Sequence, residues 1–420
     1  MFEEFRSFFK QLGPGLVTGA SDDDPAGIAT YSQAGAQFGM GPLWLTLISL
    51  PGMLAVQEMC ARIAIVTQKG LIENIRTIFP TWFVWMIVGL LAIANTFNIG
   101  ADLGMMAASA QLVIPLPFWQ WLILLSTVTI LLQIFISYAR YARYLKWLTL
   151  SLLAYILVAV AVQIDWMNAL HHTFWPTIIW SREFLFIVIA FLGTTISPYL
   201  YVWQANSEVE DGRFLPSHLK HRRSLGLQER LRASFIDVVC GMGLSNVVAW
   251  FIMLTGASVL HTRGITQIDT ADQAARMLAP LAGQFTSLVF ALGIIGTGLL
   301  AVPVLSSVIA YAACEALDIK EGLSKKWFQA KCFYTIIVVS TMIGIFINVL
   351  QLSPVRLLLY SAVGNAIIAP PLLFAIFRLA NDRKRLKNQM GTAWIRVVGF
   401  TTLLVMTVAS VLGIWLVVTS

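Results

Sequence analysis

Charge is what this chain has least of. Aspartate, glutamate, lysine and arginine make up 12% of its 420 residues, about half the ~25% usual in a soluble domain. With 58% hydrophobic residues and a mean hydropathy of +0.77, that shortage excludes an ordinary soluble enzyme and implies a polytopic membrane protein. Cysteine is scarce too. Cys60, Cys240, Cys314 and Cys332 lie far apart and form no CxxC pair; a disulfide framework, a zinc site and an iron–sulfur site are not indicated. They read as small core residues. No Walker loop, HExxH or redox cysteine pair occurs, which speaks against an ATP-driven pump or an enzyme. The glycine runs "GIIGTG" (293–298) and "GMG" (241–243) lack a strand-to-helix setting and read as helix packing. The five histidines, His171, His172, His218, His221 and His261, fall in loops or at the ends of apolar spans. The N-terminal "MFEEFRSFFKQLGPG" lacks the basic start, apolar run and small-residue cleavage site of a signal peptide, so the first apolar span is expected to stay in the mature chain.

What is present is a succession of apolar spans of the roughly 20 residues that a helix needs to cross a bilayer. There are eleven, near 13–38, 42–66, 82–113, 117–138, 145–164, 183–206, 236–260, 285–314, 332–351, 353–377 and 394–418. The basic residues test this pattern. With the N-terminus inside, only Arg182, Arg263, Arg276 and Arg356 of the 28 lysines and arginines fall in outside segments. Positive residues favour the cytoplasmic side. The bias supports the span count, a cytoplasmic N-terminus and an external C-terminus in a multi-pass cell-membrane protein. It also accounts for the net charge of +7 without a nucleic-acid partner. The longest cytoplasmic loop, 207–235, has a second half patterned for a short surface-lying amphipathic helix.

Two spans are interrupted. The first breaks at "DDDPAG" (22–27) and the sixth at "GTTISPY" (193–199). Gly/Pro-broken helices in corresponding positions of two halves point to an inverted repeat with a binding site at the membrane midplane. A charge at that depth costs roughly 2.5–3.5 kcal/mol on insertion scales, so Asp22, Asp23 and Asp24 must face a cavity, water or a cation. Pro25 lacks an amide hydrogen and pushes Asp24 out of helical geometry. Carboxylate oxygens and freed carbonyls are ligands for a hard cation, and Asp24 is the first candidate. Asp24 also suits the N-cap of the second half-helix, with Pro25 at its first position; both roles are compatible. Asp22 and Asp23 are candidates for the entry path or for bonds to neighbouring helices. In the sixth span, Pro198 frees carbonyls about one turn before it, and Thr194, Thr195 and Ser197 add hydroxyls. Such hydroxyls more often bond their own backbone. Tyr199, Tyr201 and Gln204 continue toward the cytoplasm, where Glu208, Glu210 and Asp211 are either a solvated acidic loop or a cation-attracting vestibule.

Other intramembrane polar residues carry weaker signals. Glu58 stands four residues before Arg62, the spacing of a helical ion pair, although a part in proton movement or gating is the alternative. Asp102 lies toward the outer end of the third span among small residues that permit close packing. With Asn95 and Asn98 near, it is a candidate lining of the outward passage. Asp237 and Glu315 look interfacial, and Asn246 and Asn365 either brace helix contacts or line the path.

"GPG" (13–15), the midspan "DPAG" (24–27), the eleven spans and "GTTISPYLYVWQ" (193–204) together resemble the Nramp family of divalent metal transporters over nearly the whole chain. The resemblance implies an all-α, LeuT-like fold. Five-helix repeats at 13–164 and 183–377 (the second holding loop 207–235) follow a cytoplasmic N-terminus at 1–12, and an eleventh helix at 394–418 is appended. It implies metal transport by alternating access, with Asp24, the position of Gly27, the carbonyl of Thr194 and Ser197 at the metal. Here the chain departs from the family pattern. Ala26 replaces a glycine, Gly27 the ligand asparagine, Ser197 the methionine, Tyr199 one histidine and Gln204 a second. Loss of a thioether hardens the site toward Mg²⁺ and Mn²⁺, and Gly27 leaves room for the water that Mg²⁺ tends to keep. This resembles the divergent, magnesium-transporter-like branch of the family, and the missing histidines put proton coupling in question.

The expectation is therefore a secondary transporter or facilitator for Mg²⁺ or Mn²⁺, not an enzyme. It needs no cofactor, and its partners are the divalent ion and the lipid bilayer, with no obligatory protein partner evident. The alternative is a Na⁺- or H⁺-coupled transporter of a small organic solute on the same fold.

Overall fold

A computed structural model describes residues 14–136, 152–162, 164–214, 226–350, 352–387 and 389–419. The described residues form helices joined by short connections: α1 Pro14–Asp22, α2 Pro25–Phe38, α3 Trp44–Thr67, α4 Leu71–Arg76, α5 Thr81–Gln111, α6 Phe118–Phe135, α7 Leu153–Ala161, α8 Trp166–Phe174, α9 Arg182–Thr195, α10 Pro198–Phe214, α11 Leu227–Thr255, α12 Thr286–Leu317, α13 Lys331–Ile347, α14 Pro354–Ala380 and α15 Ala393–Thr419. Eight of the helical stretches are long and apolar enough to cross a bilayer. The other three expected spans are the broken pair α1–α2, the nine described residues of α7 and the 17-residue α13. The chain is a multi-pass membrane protein.

Both interruptions fall where the prolines dictate. α1 stops at Asp22 and α2 begins at Pro25, while α9 stops at Thr195 and α10 begins at Pro198. The seventh span starts earlier than its apolar run, at Leu227, because Gly226 caps it and donates its N–H to the Glu229 carboxylate at 3.1 Å. A surface helix in loop 207–235 lies partly outside the described residues; within them, α10 runs out to Phe214 and α11 already begins at Leu227.

The contacts between helices follow a two-fold correspondence. The first broken span packs on α11, the seventh span; the sixth, α9–α10, packs on α3, the second. α5 lies on α6 as α12 lies on α13, and α3 meets α14 as α11 meets α7. The pairs α5–α12 and α3–α11 map onto themselves. Within lipid, helices gain little from hydrophobic contact with one another and associate through close packing and polar bonds. Glycine supplies the approach at both broken spans. A Cβ on Gly15 would sit 2.7 Å from the Asp237–Val238 peptide, and one on Gly19 would overlap Gly241 of α11. A Cβ on Gly193 would overlap the Ala362 carbonyl of α14.

At the face predicted to be cytoplasmic, the end of α12 grips α4. The Glu315 carboxylate accepts from the Glu73 amide at 2.7 Å, and the Arg76 guanidinium reaches the Glu315 carbonyl at 3.1 Å. Glu210 at the end of α10 accepts from the Tyr311 hydroxyl and from the Leu323 amide at 2.8 Å. In the α12–α13 connection, burial first, and then the charges of Glu315 and Glu73, push the Glu321 carboxyl from its ordinary 4.5 up to about 10.

Two stability outcomes follow from this packing. Gly193→Val drives a side chain into the α14 backbone and should cost at least the ~1–3 kcal/mol of an overpacked core. Gly243→Ala, where nothing lies within 4 Å, should be neutral or stabilising by up to about 1 kcal/mol; thermal unfolding in detergent compares the two. Glu321 holds its proton in the folded chain up to about pH 10, whereas the unfolded chain releases it above its ordinary 4.5. Its contribution is therefore intact at low pH and is lost as pH rises between those values. E321Q should raise the melting temperature by an amount that grows from pH 5 to pH 9; a gain independent of pH would contradict the assignment.

Candidate metal centre at the helix breaks

Each proline at a break leaves one carbonyl without its helical donor, the one four residues earlier. For Pro25 this is Ser21. The Tyr199 hydroxyl of α10 takes it up, donating to the Ser21 oxygen at 3.0 Å. For Pro198 it is Thr194. The Ser197 hydroxyl covers that oxygen at 2.7 Å and the Gly193 oxygen at 2.8 Å. Thr195 likewise donates to Phe191 at 2.8 Å. The hydroxyls of Thr195 and Ser197 thus bond their own helix, but a carbonyl has two lone pairs and a hydroxyl two more. Thr194 and Ser197 keep acceptor capacity after these bonds are made.

Asp24 has extended geometry (φ −71°, ψ 171°) and caps α2, accepting the Gly27 amide at 2.7 Å. Its other oxygen accepts from Asn98 Nδ2 at 3.2 Å and lies 3.3 Å from the Tyr199 hydroxyl. Asn98 is itself oriented by Ser361 of α14, whose hydroxyl donates to Asn98 Oδ1. One helical turn beyond Asn98 stands Asp102. It is fully buried, it lies close to the Ala26 amide of the broken segment, and it is within electrostatic reach of Asp24. Asp22 and Asp23, also buried, turn toward α11. There the Ser245 hydroxyl lies 2.5 Å from Asp22 Oδ2 and 3.2 Å from Asp23 Oδ1. None of these four carboxylates forms an ion pair with a lysine or arginine among the described residues.

Gly27 is tighter than the sequence suggests. A Cβ there would lie 3.1 Å from the Asp22 carbonyl and 3.3 Å from Cε2 of Tyr31. The fully buried Tyr31 ring occupies the space beside the glycine. Gln204 belongs to a different group. It accepts from Thr18 of α1 at 2.6 Å and donates to Glu208 at 3.2 Å, and Glu208 accepts from Ser234 of α11 at 2.5 Å. This chain of polar bonds ties α1, α10 and α11 together. Glu58 is paired with Arg62, whose guanidinium also reaches the Gln389 carbonyl at 3.2 Å.

The structure therefore brings Asp24, Asp102, Tyr199 and the Gly27 amide together, with Thr194 and Ser197 at the facing break; Glu58 and Gln204 make other contacts. Sequence reasoning overlooked Tyr31, Ser245 and Ser361, and treated Asn98 as a bystander of Asp102. Tyr31 stands seven residues after Asp24, two helical turns on, and Asn98 four before Asp102. Those spacings were the available signal. Ser245 and Ser361 come from other helices, where sequence spacing carries none. Among the described residues no three carboxylates, imidazoles or thiols converge into a ready-made cage. A cation here would be completed by carbonyls, hydroxyls and amide oxygens.

Comparison with known proteins gives one consistent result. The Nramp family model, described as natural resistance-associated macrophage protein-like, matches residues 15–416. The divalent metal cation transporter MntH of Klebsiella pneumoniae (strain 342) is 28% identical, over 97% of this chain and 94% of that protein. The divalent metal cation transporter MntH of Caldanaerobacter subterraneus subsp. tengcongensis is 24% identical, over 94% and 90%. Among solved structures, the Eremococcus coleocola manganese transporter, in complex with an aromatic bis-isothiourea substituted compound, superposes with a TM-score of 0.75. It is 18% identical, over 97% of this chain and 86% of that one. Mhp1, a nucleobase-cation-symport-1 family transporter, superposes with a TM-score of 0.58 at 13% identity, over 97% and 93%. At those identities the structures speak for the fold alone.

Removing the Tyr199 hydroxyl leaves the Ser21 carbonyl buried and unsatisfied. Tyr199→Phe should cost about 1–3 kcal/mol in thermal unfolding of the purified protein, whereas Tyr360→Phe, at a half-exposed ring, should cost less than about 0.5 kcal/mol. Equal, small effects would remove Tyr199 from its bridging role.

Proposed function

Because the chain belongs to the Nramp family, we propose that it carries divalent metal cations across the cell membrane, by alternating access around the two helix breaks. The observation that carries this is the set of buried carboxylates at the break, above all Asp24 and Asp102, with no basic partner among the described residues. Buried charge of one sign is costly unless it is paired or coordinates a metal, and the family's cargo is a cation. The ion is substrate rather than resident cofactor, and no catalytic step is invoked.

In this reading Asp24 supplies the charge, and the carbonyls of the broken segments, Thr194 among them, together with Ser197 complete the shell. Asp102 faces the same ion or its approach, and Tyr199 marks the inner limit of the site. Gly27 contributes its amide to Asp24 rather than a side chain to the metal. The ligand set is oxygen-rich and holds neither thioether nor imidazole, the chemistry that suits Mg²⁺ and Mn²⁺, as in the magnesium-transporter-like branch. The repeats are residues 13–164 and 183–377, with helix 394–418 appended, the N-terminus cytoplasmic and the C-terminus outside. The correspondence of helix contacts supports that division, and the distribution of basic residues supports the orientation. The likeness to Mhp1 is one of fold and lends the organic-solute alternative no residue.

Uptake into proteoliposomes across Mg²⁺, Mn²⁺, Ca²⁺ and Cd²⁺, with internal pH recorded, tests the proposal. Wild type should transport Mn²⁺ or Mg²⁺ in preference to Cd²⁺, and Asp24→Ala should abolish uptake. Unchanged uptake by Asp24→Ala would remove the site, and strong Cd²⁺ transport would overturn the hard-ligand argument. Thermal stabilisation by amines or amino acids and not by divalent metals would return the organic-solute reading.

A further inference from the structure

We propose that Asp22 and Asp23, with Ser245, form a second cation site distinct from that of Asp24, and that it takes a small hard cation. The inference rests on the transport reading only in supposing that such ions reach the break.

The three consecutive aspartates do not share an environment. Asp24 turns to α5 and α10, where Asn98 and Tyr199 meet it. Asp22 and Asp23 turn to α11, and both meet the single hydroxyl of Ser245. That hydroxyl has one proton and can donate to only one of them. Two buried carboxylates therefore converge on one donor. Neither has an ion pair with a basic residue among the described residues.

A separate observation points to a ligand. The Tyr201 side chain, 1% exposed, has a hydroxyl with no hydrogen-bond partner, and its electrostatic neighbours are Asp22 and Cys60. Asp22 Oδ1 is buried and without a partner as well. Two buried oxygens of different helices, within electrostatic reach of each other, thus lie unsatisfied beside the break, where each unsatisfied group costs free energy. A cation between them would use Asp22, Asp23, the lone pairs of Ser245 and the Tyr201 oxygen. All are oxygen donors, the set that suits Mg²⁺, Ca²⁺ or Mn²⁺. One divalent ion would cancel both carboxylates. Occupancy here and at Asp24 would be linked through the short stretch of backbone that leaves α1 at Asp22 and caps α2 at Asp24.

The test is Mn²⁺ binding to the full-length protein in nanodiscs, with free ion followed by electron paramagnetic resonance. Wild type should bind two Mn²⁺ per chain. The double variant Asp22→Asn, Asp23→Asn should bind one, and Asp24→Ala should also bind one. Ser245→Ala, the milder change should the double variant fail to fold, should keep both ions with the second at least about tenfold weaker. A wild-type stoichiometry of one, or an unchanged stoichiometry in the double variant, overturns the second site. If Asp24→Ala keeps both ions while the double variant loses one, the Asp24 assignment fails and this one stands. Repeating the titration in sodium chloride and in N-methylglucamine chloride identifies the occupant. Sodium competition confined to the second step assigns the site to Na⁺ and its absence to a second divalent ion, and either result supports a cation site.

Discussion

A carbonyl inside a bilayer has no water to turn to, and the prolines at the two breaks, Pro25 and Pro198, each release one. The ways in which those two carbonyls are dealt with organise the centre of the molecule. At the sixth span the answer is local: Ser197 bends back on its own helix and covers Thr194. At the first span the answer comes from across the break: Tyr199 reaches over to Ser21. The second solution locks the start of α10 to the end of α1 and places a phenol hydroxyl beside Asp24. One broken helix thus completes itself and then completes the other, and the asymmetry decides which chemistry each break offers. The first presents carboxylates, and the second presents carbonyl and hydroxyl oxygens whose remaining lone pairs are free to act.

The frame around the breaks depends on nearness of backbones more than on apolar bulk. Glycines at 15, 19 and 193 let the half-helices lie against α11 and α14 with no side chain between. The polar bonds at the predicted cytoplasmic end, Thr18 to Gln204 and Gly15 to Asp237, add directed ties from α1 to α10 and α11.

Much of this was legible in the sequence. The eleven spans, both breaks and the residues that flank them follow from apolar length and from proline chemistry, because those signals are local. The pairing of Glu58 with Arg62 was legible for the same reason. The bonding partners of the aspartates were not. Ser245 and Ser361 come from the seventh and tenth spans, and nothing in their own segments sets them apart from any helix-packing serine. Gln204 was misleading in a different way: its place two turns below the break suggested the ion path, while Thr18, a residue with no signal of its own, draws it into the bond between α1 and α10. Gly27 invited the idea of vacant space, since an absent side chain in a sequence does not reveal which neighbour has moved in.

That neighbour, Tyr31, couples two positions of the site. Restoring an asparagine at position 27 would not by itself restore the usual family ligand, because its Cβ would press on the Asp22 carbonyl and on the Tyr31 ring. The carbonyl and the ring would each have to give by a few tenths of an ångström. The two positions are therefore epistatic. What position 27 can carry is thus set by the side chain at position 31, and a ligand added at the one depends on the ring kept at the other.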